Sequence, residues 1–262
     1  MPENEADLRL LIDAAHAAGE IAARHWKRDP EVWHKPDEAG PVTEADLAID
    51  KMLAAELGGA RPDYGWLSEE TTDTDARQSR EKTFIIDPID GTRAFIEGSK
   101  DFSHSLAIAE QGQVTAAVVF LPMSDKLYCA TLGGGAWLNE QPLTASSRDE
   151  DQEAMILTSK PNLAAEWWPG GVPAIDRQFR SSLAYRLALV GEGRFDGMVT
   201  FRDSWEWDIA AGALIASEAG AAVTDRLGAP LAFNNPHPQT AGILAAAPKL
   251  HARLMARIAP AA

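Results

Sequence analysis

Between Glu5 and about Lys27, apolar residues recur at Leu8, Leu10, Leu11, Ala14, Ala15, Ala18, Ile21 and Ala22. That spacing puts them on one face of a helix. A second helix is predicted from Thr43 to about Leu57. Thr43 suits the N-cap, and Asp46, three residues on, completes a capping box with a shorter acid than usual. The pattern then changes. Thr83-Phe84-Ile85-Ile86 is short, apolar and rich in β-formers, which predicts a buried strand ending where Asp87 begins. Leu106 to Ala109, Val114 to Leu121 and Lys126 to Thr131 read as consecutive strands, with turns at Gln111-Gly112 and Pro122 to Asp125. Gly133-Gly134-Gly135 turns the chain into a short strand near Ala136 to Leu138. The run predicts an antiparallel sheet.

Beyond it the elements alternate. Met155 to Thr158 reads as a strand, Leu183 to Gly191 as a helix and Gly197 to Phe201 as a strand. Glu206 to Gly220 reads as a helix, followed by an apolar step at Ala221 to Val223, and a last helix covers Pro248 to Ile258. Such alternation implies sheets covered by helices. Residues 1–150 are expected to form an N-terminal α+β half with a large antiparallel sheet, and 151–262 a C-terminal α/β half. The loop from Thr71 to Glu81 is polar and expected to be mobile. The chain shows no internal repeat.

Composition narrows the function. No apolar run approaches the roughly 20 residues that cross a bilayer. The start, MPENEADLRLL, lacks a basic stretch before an apolar core, so no signal peptide is expected. Cys129 is the only cysteine, which excludes intramolecular disulfides and cysteine zinc sites. These features favour the cytoplasm. A net charge of -15 at pH 7 argues against a groove for a nucleic-acid polymer. It would also repel a phosphorylated substrate unless bound divalent cations reversed the field locally.

Acids gather where such cations would be useful. In Ile85-Ile86-Asp87-Pro88-Ile89-Asp90-Gly91-Thr92 a buried strand runs into two carboxylates and then a predicted helix start. The proline limits their relative motion. Carboxylate oxygens suit hard cations such as magnesium, and a helix start can receive an anion. Asp-Pro and Asp-Gly are also ordinary turn dipeptides, so a bare strand–turn–helix connection stays open. Glu69-Glu70 ends a short strand from Trp66, and a solvated turn is its alternative. Asp208 falls in the first turn of a helix, where an acid also serves the helix dipole.

Taken in order, Val42-Thr43-Glu44-Ala45-Asp46, Ser68-Glu69-Glu70, Asp87-Pro88-Ile89-Asp90-Gly91-Thr92 and Trp207-Asp208-Ile209-Ala210-Ala211-Gly212 resemble the signatures of the inositol monophosphatase superfamily. The resemblance spans most of the chain. It implies a layered αβαβα sandwich, of the type shared with fructose-1,6-bisphosphatases, and magnesium-dependent, lithium-sensitive hydrolysis of a small phosphorylated metabolite. By resemblance, Glu69, Asp87 and the Ile89 carbonyl hold one magnesium ion, and Asp87, Asp90 and Asp208 share a second. A third, weaker ion lies near Glu69. The Gly91 and Thr92 amides receive phosphate oxygens, and Asp46 with the Thr92 hydroxyl activates water. Glu70 takes a supporting part. None of the six histidines falls in a matched motif, which suits a metal-activated water.

Substrate features point in several directions. Ser68 before the acid pair resembles the 3′(2′),5′-bisphosphate nucleotidase branch, as do Ser181-Ser182-Leu183 and the loop from Lys35 through Asp37 to Pro41. The inositol branch carries an acid seven residues before the motif aspartate, where this chain has Phe201, an aromatic that could cover a base. After Ser181-Ser182-Leu183 the nucleotidases carry lysine where this chain has Ala184, and Arg186 is the nearby cation. Adenosine 3′,5′-bisphosphate is the favoured substrate, with inositol 1-phosphate and histidinol phosphate as alternatives. A silent nucleotide- or metal-binding descendant is the non-enzyme alternative. Monomer and homodimer both stay open.

Overall fold

Helices and strands follow one another in the order their hydrophobic periods require. The structure, a computed structural model, describes residues 3–34 and 40–258, so most of the loop from Lys35 to Pro41 lies outside the described residues. Helix α1 (Glu3–His25) precedes a small ribbon of β1 (Val32–His34) and β2 (Pro41–Thr43), then α2 (Glu44–Ala60), β3 (Gly65–Ser68) and β4 (Lys82–Asp90). After α3 (Thr92–Ile96) come β5 (Ser103–Glu110), β6 (Gln113–Leu121), β7 (Lys126–Thr131), β8 (Gly135–Leu138) and β9 (Gln141–Pro142). The later elements are β10 (Met155–Leu157), β11 (Asp176–Gln178), α4 (Leu183–Gly191), β12 (Gly197–Thr200) and β13 (Ser204–Trp205). The chain continues through α5 (Glu206–Glu218), β14 (Ala222–Thr224), β15 (Gln239–Thr240), β16 (Ile243–Ala246) and α6 (Pro248–Ile258).

Strands β3 to β9 form one sheet in sequence order, with β3 parallel to β4 and the other neighbours antiparallel. The second sheet has the order β11-β10-β12-β16-β14. Because side chains alternate along a strand, each sheet has two distinct faces. Phe84, Ile86, Leu106 and Ile108 face α1 and α2, while Ile85, Ala107 and Ala109 face the layer of α4 and α5. The far side of that helix layer rests on Met198, Ile243 and Ala245 of the second sheet. Val199, Phe201 and Leu244 point the other way, toward Leu250 and Leu254 of α6. The result is a five-layer αβαβα sandwich. Its middle layer is tight: a Cβ added at Gly212 of α5 would lie 2.6 Å from Leu187 Cβ and 2.9 Å from the Ala184 carbonyl oxygen of α4.

The structure departs from the sequence reading in two places that matter for the site. Strand β4 does not stop at Asp87. It runs to Asp90, because Asp87 pairs with Ser105 and Asp90 with Ser103 across a register shift. Pro88 has no N–H to give the ladder, so the irregularity falls there. The polar loop from Thr71 to Glu81 is anchored, through a 3-10 turn at Asp75–Ser79 that buries Arg77. A polar composition suggested solvent, but a buried arginine with fixed partners holds the segment down.

Candidate active site

The site forms where strand ends and helix starts from both parts of the chain meet. β3 ends opposite Ile86 of β4, and the Glu69 amide donates to the Ile86 carbonyl at 3.2 Å, which brings the Glu69-Glu70 pair beside Asp87. The start of α5 brings Asp208 from the opposite side, tied down by the Ser105 hydroxyl, which donates to the Trp207 carbonyl at 2.9 Å. One carboxylate oxygen each of Asp87, Asp90 and Asp208 lies within 4.8 Å of the other two.

These acids are held in a costly state. Asp87 is buried, and its Oδ1 has no hydrogen-bond partner among the described residues. Burial, and after it the charges of Glu69, Asp90, Asp208 and Asp46, push its pKa well up. Burial likewise pushes Asp90 up to about 6, against the bonds from Ser182, Ala184 and Leu183 and the charge of Arg186. Clustered buried carboxylates repel one another unless a proton or a cation intervenes. Hard oxygen donors at this spacing, one of them orphaned, fit a small divalent cation.

Around the acids the chain supplies rigid support. Gly91 has φ 98°, and a Cβ there would also crowd the Asp101 carbonyl oxygen at 3.2 Å; both conditions favour glycine. It lets α3 begin directly after Asp90. Thr92 donates to the Ile89 carbonyl at 3.2 Å and approaches Asp46 Oδ1 at 3.4 Å. Asp46 completes the capping box of α2 through the Thr43 amide and hydroxyl, as the sequence predicts. Gly91, Thr92, Ile89 and Asp46 therefore belong to the same cluster as Asp87, Asp90 and Glu69.

The proposed substrate residues divide. Ser182 caps α4 through the Tyr185 amide and donates to Asp90 Oδ2 at 2.6 Å, so its hydroxyl supports a site acid. Leu183 packs into the middle layer, and Ser181 is exposed. Arg186 is buried with its guanidinium over the Phe179 ring at 4.4 Å. Burial lowers its pKa to about 10, and the charges of Asp90, Arg202 and Asp208 act on it, so it borders the acid cluster. Phe201 does not join the site. It is 1% exposed, with ring centroids of Trp167 and Trp168 at 5.0 and 5.2 Å. It shares the face of Val199 that turns toward α6, and cannot cover a base.

Sequence reasoning missed three supports. His104 Nδ1 bonds the Pro88 carbonyl oxygen at 2.5 Å, and burial lowers its pKa to about 4, so a neutral ring buttresses the Asp87–Asp90 turn. Asp50, one helical turn beyond Asp46, accepts from Ser68 at 2.5 Å and Thr71 at 2.7 Å, bracing both sides of Glu69-Glu70. The helical spacing of Asp46 and Asp50 was the one local signal available. Arg77 is the third.

A five-layer sandwich that converges carboxylates from strand ends and a helix start is the architecture of a metal-dependent phosphatase. The profile of the Inositol monophosphatase family matches residues 3–261, and the chain belongs to that family. It is 36% identical over 234 residues to an inositol-1-monophosphatase of Rhizobium meliloti, covering 84% of this chain and 86% of the relative. It is 33% identical over 223 residues to a fructose-1,6-bisphosphatase/inositol-1-monophosphatase of Thermotoga maritima, covering 83% and 84%. The structure of a Thermotoga maritima IMPase superposes with a TM-score of 0.84 at 29% identity, covering 97% of this chain and 96% of that one. The protein is accordingly a magnesium-dependent phosphoric monoester hydrolase. Among the described residues no helix is long and apolar enough to cross a membrane.

Proposed function

We propose that this enzyme removes a phosphate from adenosine 3′,5′-bisphosphate in the cytoplasm. In this reading Glu69, Asp87, Asp90, Asp208 and the Ile89 carbonyl hold two or three magnesium ions, and lithium inhibits. Bound there, magnesium supplies Lewis acidity that lowers the pKa of water and offsets charge on the departing oxygen. The chain's own groups do the rest. The Gly91 and Thr92 amides take phosphate oxygens. The Thr92 hydroxyl accepts a proton from the attacking water as it passes its own to Asp46 Oδ1. Ser182 and the Ala184 amide, donating to Asp90 Oδ2 at 2.6 and 2.7 Å, keep that carboxylate oriented. Residues 1–150 carry the metal ligands other than Asp208, and 151–262 supply Asp208 and complete the substrate pocket.

The observation that carries the choice of substrate is Arg186, a buried cation bordering the acids in a chain of net charge -15. A bisphosphate needs a second cationic partner for the phosphate that stays behind, and Arg202 adds to the charge at that place. Phe179, 47% exposed beside Arg186, offers the aromatic surface that Phe201 does not. Inositol 1-phosphate is the second reading, favoured by the names of the relatives. The test is kcat/KM with magnesium on adenosine 3′,5′-bisphosphate, inositol 1-phosphate and histidinol phosphate. A preference for the bisphosphate of about a hundredfold, roughly 2.7 kcal/mol, that Arg186→Ala erases is the expected result. A comparable preference for either other compound overturns the substrate and leaves the metal site standing.

A further inference from the structure

One turn of the chain, Asn234-Asn235, is gripped from both sides by buried charges. Arg77, 3% exposed, binds Asp73 with two nitrogens at 2.7 and 2.9 Å. The same guanidinium donates to Asn234 Oδ1 at 2.6 Å and to the Asn235 carbonyl at 2.8 Å. From the other side the Glu206 carboxylate, fully buried, accepts from the Asn234 amide at 2.6 Å, the Asn235 amide at 2.9 Å and Asn235 Nδ2 at 2.7 Å. The cation takes the turn's oxygens and the anion its N–H groups, so each buried charge is satisfied by hydrogen bonds and by the other's field.

The two ends of this grip rest on elements that lead into the site. Arg77 packs on the start of β3, where a Cβ added at Gly65 would lie 2.9 Å from Arg77 Cβ, and β3 ends at Ser68, just before Glu69. Glu206 is the first residue of α5, two before Asp208. The start of α5 has no side-chain N-cap, and the Glu206 amide bonds the Pro238 carbonyl instead. The Ser105 hydroxyl ties the Trp207 carbonyl to β5 at 2.9 Å, and the grip on Glu206 is a second hold on the same helix start.

We propose that Arg77 and Glu206 are positioning residues that tie the start of α5, and with it Asp208, to strand β3 beside β4 in the geometry that binds magnesium. This rests on Asp208 being a metal ligand. The guanidinium fork is what permits the grip, since it binds Asp73 and the Asn234-Asn235 turn at once; a lysine ammonium lacks that geometry.

The experiment titrates metal-free protein with magnesium alone, by calorimetry, beside melting curves and kinetics. The variants are Arg77→Ala, Arg77→Lys, Glu206→Gln and Asp208→Asn. Arg77→Ala and Glu206→Gln are expected to weaken magnesium binding by about tenfold or more, as loss of a supporting partner does. Turnover at saturating magnesium should stay within about threefold of the parent, since the ligands themselves remain. Arg77→Lys should fall with Arg77→Ala, and it serves in its place if that variant does not fold. A lower melting temperature with unchanged magnesium affinity, while Asp208→Asn weakens binding, would make the grip merely structural and overturn the proposal. Unchanged affinity in Asp208→Asn would instead overturn the metal assignment, and the proposal with it.

Discussion

Strand β4 begins at Lys82 and ends at Asp90, and its two ends solve the burial of charge in opposite ways. At the Lys82 end, Asp7 of α1 is fully buried. Lys82 Nζ stands 3.3 Å from its carboxylate, an Arg61 nitrogen 3.0 Å, and the Tyr64 hydroxyl donates at 3.0 Å. Burial alone would lower the Lys82 pKa, yet its bond to Glu3 and the charge of Asp7 raise it. Anion and cations there are closed on one another. At the Asp90 end, Asp87, Asp90 and Asp208 converge with Glu69 and Asp46 close enough to act on Asp87, and the bordering cation is Arg186. The first arrangement is complete as the chain stands and serves stability. In the proposed reading the second is completed by a cation from outside, the magnesium on which the family depends.

That contrast can be broken at either end. The largest expected effect is on turnover. Asp90→Asn should cut phosphate release by about a thousandfold, the scale of a lost group that stabilises transition-state charge. It should also raise the melting temperature of the metal-free protein, because one of several buried like charges is gone. A variant that keeps most of its rate would remove Asp90 from the metal site. At the other end, Lys82→Ala strips a partner from buried Asp7 and should cost about 3 kcal/mol of stability, read by denaturant unfolding. Magnesium affinity should not change. If Lys82→Ala weakened magnesium binding as much as Asp90→Asn, the two ends would not be separable as claimed.

How much of this was legible in the sequence follows from distance along the chain. The Thr43–Asp46 capping box and the bounds of α4 were readable because their causes lie within one helical turn. The matched motifs pointed to Asp87, Asp90, Asp208 and Glu69, since each is embedded in a local strand end or helix start. What escaped was tertiary. The extension of β4 to Asp90 depends on pairing with Ser103 and Ser105; within its own segment Asp-Pro reads as a turn. Arg77 finds its partners 157 residues away at Asn234, so its loop looked merely polar. Phe201 was assigned to the substrate because spacing from Asp208 says nothing about which face of β12 it follows. The parity it shares with Val199 sends it toward α6.

The most direct test of the contrast is the gain in melting temperature on adding millimolar magnesium, measured on either side of the Asp90 pKa. In the metal-free protein Asp90 titrates at about 6 when folded and at about 3.9 when unfolded, so the native state holds its proton more tightly. Asp87 is raised in the same direction. The metal-free protein should therefore lose stability as pH rises from about 4 through about 6. Magnesium competes with those protons, so it should stabilise the protein more above that window than within it. The account predicts a larger magnesium-induced gain at neutral pH than near pH 5, shrinking sharply in Asp90→Asn. An equal gain at both pH values, or one that Asp90→Asn leaves intact, would contradict it.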